Sequence, residues 1–219
     1  MKKTTVPILL TGLVCCGIMA LVDGVIRPGY LEKSAIKLVL FIGLPFLLSR
    51  FRPEIDLKSM FRLGGAPLLR AAALGVGLYG LILGGFFLLR PYVDFSGIAG
   101  SLSENAGVTR ENFLAVSVYI SFVNSLLEEF FFRGFLFLHL KKQGRLPAYA
   151  FSAGLFSLYH TAMMLGWFPW WLFALVLAGL ALGGGIFNFL DEKSETVYTS
   201  WMVHAFANFA INTVGFILL

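Results

Sequence analysis

The sequence predicts an all-α fold, a polytopic transmembrane helical bundle of about seven spans, with eight as the alternative count. Two observations carry this. The 219 residues are 58% hydrophobic and only 13% charged, with a mean hydropathy of +0.83, whereas a soluble domain carries about 25% charged residues. The apolar residues also come in long runs, and about 20 of them at 1.5 Å rise cross the ~30 Å hydrocarbon core.

The first run, 6–26, follows Met1-Lys2-Lys3 and resembles a secretion signal. It is long for that role and no A-x-A-like cleavage site follows it, so it reads as a retained first helix. Further runs lie at 35–49, 66–89, 113–139, 147–166, 169–190 and 196–218, the second of them short. The longest connections are the charged stretch 50–62 and the Gly/Ser-containing stretch 94–112. A re-entrant segment within 50–70 would change the count of spans. Neither connection has room for a soluble domain, so 1–219 reads as one integral-membrane domain without internal repeats.

The net charge of +5 does not point to nucleic acid, because Lys and Arg cluster at the ends of apolar runs. They read as topology determinants. With the N-terminus in the cytoplasm, eleven fall in inside loops and five (Arg27, Lys33, Lys37, Arg90 and Arg110) in outside ones. This bias places the N-terminus inside a cell membrane and puts Trp167, Trp170 and Trp171 at the outer interface. Asp23, the Arg27-Pro28-Gly29 exit and His139 also read as interfacial. Cys15 and Cys16 are adjacent, lack metal-ligand spacing, and read as packing residues. Gly84-Gly85 and Gly183-Gly184-Gly185 read as sites of close helix packing.

Three runs carry polar groups that lipid-facing helices do not tolerate. In the fourth, Asn124-Ser-Leu-Leu-Glu128-Glu129-Phe-Phe-Phe-Arg133-Gly134 places two carboxylates and a guanidinium within the membrane. Each such charge costs about 2.5–3.5 kcal/mol on insertion scales. Glu129 and Arg133, one turn apart, can pair on one face. Glu128, rotated by about 100° from Glu129, faces another partner, with Asn124 one turn earlier on its own side. The fifth run has Phe156-x-x-x-His160, and the seventh has His204-x-x-x-Asn208 with Asn212 continuing the stripe. Counted from the cytoplasmic ends, Glu128, His160 and His204 lie roughly 20, 20 and 12 Å deep at 1.5 Å per residue. One shared cavity in the cytoplasmic half is the expectation.

Glu-Glu-x-x-x-Arg, Phe-x-x-x-His and His-x-x-x-Asn, in this order on three membrane helices, resemble the motifs of the CAAX prenyl protease and bacteriocin-processing family, also called the Abi family. The resemblance covers residues 128–208 and no motif residue departs from its pattern. It implies an intramembrane endopeptidase that hydrolyses peptide bonds with an activated water. By position it makes Glu128 the general base, assisted by His160, and gives His204 and Asn208 the oxyanion. Glu129 and Arg133 would brace the site. Glu128, His160 and His204 could alternatively ligate zinc, but no His-Glu-x-x-His is present, and a metal-free site without cofactor is the preferred expectation. The resemblance implies a peptide or membrane-protein substrate in the bilayer, and the short loops look like the prokaryotic branch, at the plasma membrane. Oligomeric state is left open.

Taken singly, these residues have structural readings: Glu129–Arg133 as an ion pair, and His160, His204 and Asn208 as interhelical hydrogen bonds. Their joint occurrence in order favours chemistry. Two other classes remain as alternatives: a membrane scaffold or bacteriocin-immunity protein on the same fold, and a proton-coupled transporter. The lack of two related halves counts against the transporter.

Overall fold

The computed structural model describes residues 3–63, 67–95 and 108–218. These form seven helices: α1 (Thr5–Ile26), α2 (Tyr30–Phe51), α3 (Leu68–Leu89), α4 (Phe113–Leu140), α5 (Arg145–Tyr159), α6 (Trp170–Ser194) and α7 (Tyr198–Leu218). All but α5 are long and apolar enough to cross a membrane, and no strand occurs among the described residues. The chain has the architecture of a multi-pass membrane protein. Most of 94–112 lies outside the described residues, and the described part of 50–70 contains no spanning or re-entrant helix.

Two helices depart from their apolar runs, each for a local reason. α2 begins at Tyr30 rather than at 35. Arg27, in the left-handed region at φ 50°, ends α1, and the Glu32 carboxylate accepts from the Gly29 N–H at 3.1 Å to start the next helix. This bond satisfies the N–H at the start of the helix. α2 therefore carries Lys33 and Lys37 inside its first two turns. α5 ends at Tyr159 rather than near 166. His160 caps it, and the chain runs through turns to Pro169, with Gly166 at φ 84°. With 15 residues, α5 is about 22 Å long at 1.5 Å per residue.

The apolar core is aromatic and sits beside the α4 motif. Phe41 of α2 stacks on Phe131 at 4.1 Å between centroids, and Phe132 meets Phe156 and Tyr159 of α5 at 5.2 and 5.7 Å. Leu69, Leu81, Leu182 and similar side chains are exposed on the outside, as a lipid-facing surface requires. The 52–63 connection closes the end of the bundle where α1 begins. The Asp56 carboxylate accepts from the N–H groups of Lys58 and Ser59, which holds its own ionised form below the usual carboxylate range. Beyond this turn Ile55, Leu57 and Met60 are buried. The Met60 carbonyl accepts from Val197 N–H and the Thr196 hydroxyl, each at 3.0 Å, tying this connection to the start of α7.

Small residues set helix spacing at specific points. Gly184 lets α6 approach α5, since a Cβ there would lie 3.1 Å from Ala153 Cα. Gly84, Gly85, Gly183 and Gly185 would meet nothing within 4 Å; the close-packing reading holds for Gly184 and not for them. Gly75 is the tight point between α3 and α7, where a Cβ would fall 2.9 Å from the Cβ of Phe206. The Gly75→Val variant is expected to separate these helices and lose about 1–3 kcal/mol, the usual cost of overpacking, measured as a lower thermal-unfolding midpoint in detergent.

Candidate active site

Glu128 and Glu129 sit side by side at the centre of α4, 3% and 0% exposed. The helix is wound more widely in the i→i+5 manner over Tyr119–Asn124 and Glu129–Phe137, a variant that recurs at functional sites. The two carboxylates point to different partners, as their rotation predicts.

Glu129 faces α7. Its Oε1 lies 3.2 Å from an Arg133 guanidinium nitrogen and accepts from Nδ1 of His204 at 2.7 Å. The Arg133 guanidinium is fully buried under two rings, 4.1 Å from the Phe156 centroid and 5.0 Å from that of Phe187. Cation–π contacts of this kind strengthen when desolvated. Asp191 of α6, fully buried, accepts from the Ser200 N–H at 3.0 Å and hydroxyl at 2.6 Å and so ties the end of α6 to the first turn of α7.

Glu128 faces α2 and α5. Its Oε1 accepts from Lys37 Nζ at 2.5 Å and from Asn124 Nδ2 at 3.1 Å, while Lys37 also donates to Asn124 Oδ1 at 2.6 Å. Oε2 looks the other way, toward Nε2 of His204 at 3.7 Å and Nε2 of His160 at 4.0 Å. Each ring is fixed by its far nitrogen, since His160 Nδ1 donates to the Phe156 carbonyl at 2.7 Å and His204 Nδ1 to Glu129. Both Nε2 atoms are thereby turned toward one carboxylate oxygen. A separation of 3.7–4.0 Å is too long for a direct hydrogen bond and lies within the span that one water can bridge at about 2.8 Å per bond.

The structure therefore brings together Glu128, Glu129, Arg133, His160 and His204. Asn208 is placed otherwise. Its Nδ2 donates to the Ile120 carbonyl at 3.2 Å, about two turns of α4 before Glu128, and Asn212 similarly bonds Ser117 and Ser121. Both hold α7 against α4.

Two sequence expectations, those for Lys37 and His160, are corrected, and two, those for Asp23 and His139, gain specific partners. Lys37 is not a loop charge; it is 4% exposed and on the Glu128 carboxylate. Asp23, read as interfacial, is held in an ion pair, for its carboxylate meets Lys33 at 2.5 Å and its side chain is 2% exposed. His139 is buried, with Nδ1 against the Gly134 and Phe135 carbonyls. His160 lies at the end of α5 and not within it. Lys37 is the site residue that the sequence reading misses. A lysine two turns inside a helix carries the same insertion cost that marks the glutamates, and the early start of α2 hid it.

The three donors are spaced somewhat more widely than in a closed zinc site. Tetrahedral zinc with bonds of about 2.0–2.2 Å sets ligand atoms roughly 3.4 Å apart. The Oε2–Nε2 separations here are wider, and the Lys37 ammonium occupies the same carboxylate. Among the described residues no group of three His, Cys, Asp or Glu forms a metal-holding cluster.

A polytopic helical bundle with a buried carboxylate–imidazole centre is the class that fold and site define. Residues 110–210, which contain every motif residue, match the model of the Rce1-like family, described as type II CAAX prenyl endopeptidase Rce1-like. The segment is thus similar to that family, in agreement with the resemblance read from the motifs. Neither a curated protein nor a solved structure matches the chain.

The buried pair yields a stability prediction. Arg133→Met leaves Glu129 without its guanidinium and is expected to cost about 3–5 kcal/mol, as breaking a buried pair does. Glu129→Gln with Arg133→Met is expected to cost less than the sum of the two single changes. A double-mutant cycle of detergent unfolding measures the difference.

Proposed function

We propose that this protein is an intramembrane endopeptidase that hydrolyses a peptide bond with a water activated by Glu128 and His160, without a metal. The observation that carries this reading is the convergence of Glu128 Oε2 with two ring-fixed Nε2 atoms at 3.7 and 4.0 Å. The match of residues 110–210 to an endopeptidase family supports it.

In this mechanism a water between Oε2 and His160 Nε2 gives one proton to Glu128 as its oxygen attacks the carbonyl carbon. The new C–O bond forms and the carbonyl electron pair moves to oxygen. His204, when both its nitrogens carry protons, donates from Nε2 to that oxyanion, with Glu129 holding the Nδ1 proton. Asn208 contributes its amide after turning from Ile120. Collapse of the intermediate breaks the C–N bond, and the proton held by Glu128 passes to the leaving amine. Oxyanion donors held beforehand in a low-dielectric site contribute most, since no reorganisation is needed at the moment of reaction. Glu129, Arg133 and Asp191 keep His204 in place.

The family description directs attention to C-terminal prenylated peptides as substrates, and the prokaryotic look of the chain to pheromone or bacteriocin peptides. The distribution of Lys and Arg supports a cytoplasmic N-terminus in a plasma membrane.

Glu128→Gln, which keeps shape and removes the base, is expected to lower peptide cleavage by purified protein in liposomes by at least about 100-fold, the usual contribution of a general base. Cleavage unchanged in this variant would mean that the carboxylate serves another purpose. Activity is also expected to persist after exhaustive chelation. Chelator-sensitive cleavage restored by added zinc would replace the metal-free mechanism.

A further inference from the structure

We propose that Lys37 is a positioning residue for the general base, so that the part of the chain preceding the family-matching segment supplies a working piece of the active site. The inference rests on the endopeptidase reading of Glu128.

Lys37 lies on α2, outside residues 110–210 and outside every motif. Its ammonium is 4% exposed and makes two short contacts with α4, to Glu128 Oε1 at 2.5 Å and Asn124 Oδ1 at 2.6 Å. It is also flanked by rings, with Nζ 5.0 Å from the Tyr159 centroid and 5.4 Å from that of Phe41. Asn124 closes the arrangement by donating to the same Oε1 at 3.1 Å. One oxygen of the carboxylate thus receives two donors that themselves are bonded to each other.

The consequence for Glu128 is directional. A carboxylate rotates about its last torsion in a broad, roughly two-fold well, and its two oxygens are chemically equal until something distinguishes them. Lys37 and Asn124 hold Oε1, which leaves Oε2 for the His160 and His204 Nε2 atoms. A point-like ammonium with three donors suits this double contact. A planar guanidinium, with its donors in a fixed fork, would grip carboxylate and carboxamide along different lines. Tyr159 precedes His160 at the end of α5, so the ring beside Lys37 is also joined to the helper imidazole. α2, α4 and α5 therefore meet at this ammonium.

The experiment compares wild type, Lys37→Met, Lys37→Arg and Glu128→Gln in one liposome cleavage assay, with kcat and KM measured separately and detergent unfolding followed in parallel. Lys37→Met is expected to lower kcat by about 10- to 100-fold, at most the lower end of what general-base catalysis contributes, with KM close to wild type. Lys37→Arg is expected to keep wild-type unfolding and KM and still lower kcat by several-fold. A lysine that only balances buried charge would give Lys37→Arg a wild-type kcat, and that result overturns the proposal. So does a wild-type kcat in Lys37→Met. If Lys37→Met does not fold, Lys37→Arg alone decides between the two roles. Equal cleavage by wild type and Glu128→Gln would instead defeat the endopeptidase reading itself, independently of Lys37.

Discussion

Two adjacent carboxylates in the middle of a membrane helix cannot both be left to lipid, and the way each is relieved organises the rest of the bundle. Removing a charge from water is costly unless a partner of opposite sign and good geometry is close. Glu129 has the Arg133 charge 3.2 Å away, one turn on, and a hydrogen bond from His204 on α7. Glu128 has Lys37 on α2. Because the two residues are neighbours on one helix, their partners must approach from different sides. α2 approaches one flank of α4 and α7 the other, while α5 reaches both, through His160 toward Glu128 and through Phe156 over Arg133. The aromatic side chains of 130–132 and 135 then fill the space around the charges, and the glycines at 75 and 184 admit the neighbouring helices.

The same division separates the groups suited to proton transfer from those that brace them. Glu128 Oε2 and two Nε2 atoms are left without direct contact, spaced for a water-sized group. Every other polar atom of these side chains that the site displays is held by a neighbour: Oε1 by Lys37 and Asn124, and the two Nδ1 atoms by Phe156 and Glu129. Rigid partners around a small set of free atoms are what preorganised catalysis requires.

Much of this arrangement was readable before any coordinates. The apolar runs place the helices, because span length in lipid is set by thickness. The expensive charges mark the site, and the one-residue offset between the two glutamates foretells that they face different partners. What escaped the sequence was tertiary. Lys37 resembles a topology charge when α2 is taken to begin at 35, and only the Glu32 cap on Gly29 shows that it lies within the helix. Asn208 keeps its motif spacing to His204, yet its amide is bonded to the Ile120 carbonyl, a preference that helix periodicity does not encode. Asp191 reads as one of several charges at a helix end until Ser200 folds back to it.

The order of partners along the chain has a consequence for how the protein is made. Lys37 is synthesised before α4, and Arg133 belongs to α4 itself, so both carboxylates have a cation at hand before α5, α6 and α7 exist. The fourth helix can leave the translocation machinery for lipid as an electrically balanced unit paired with the second. The imidazoles arrive last, on helices that emerge afterwards. Assembly of the reactive centre is thereby deferred until α5 and α7 have been made.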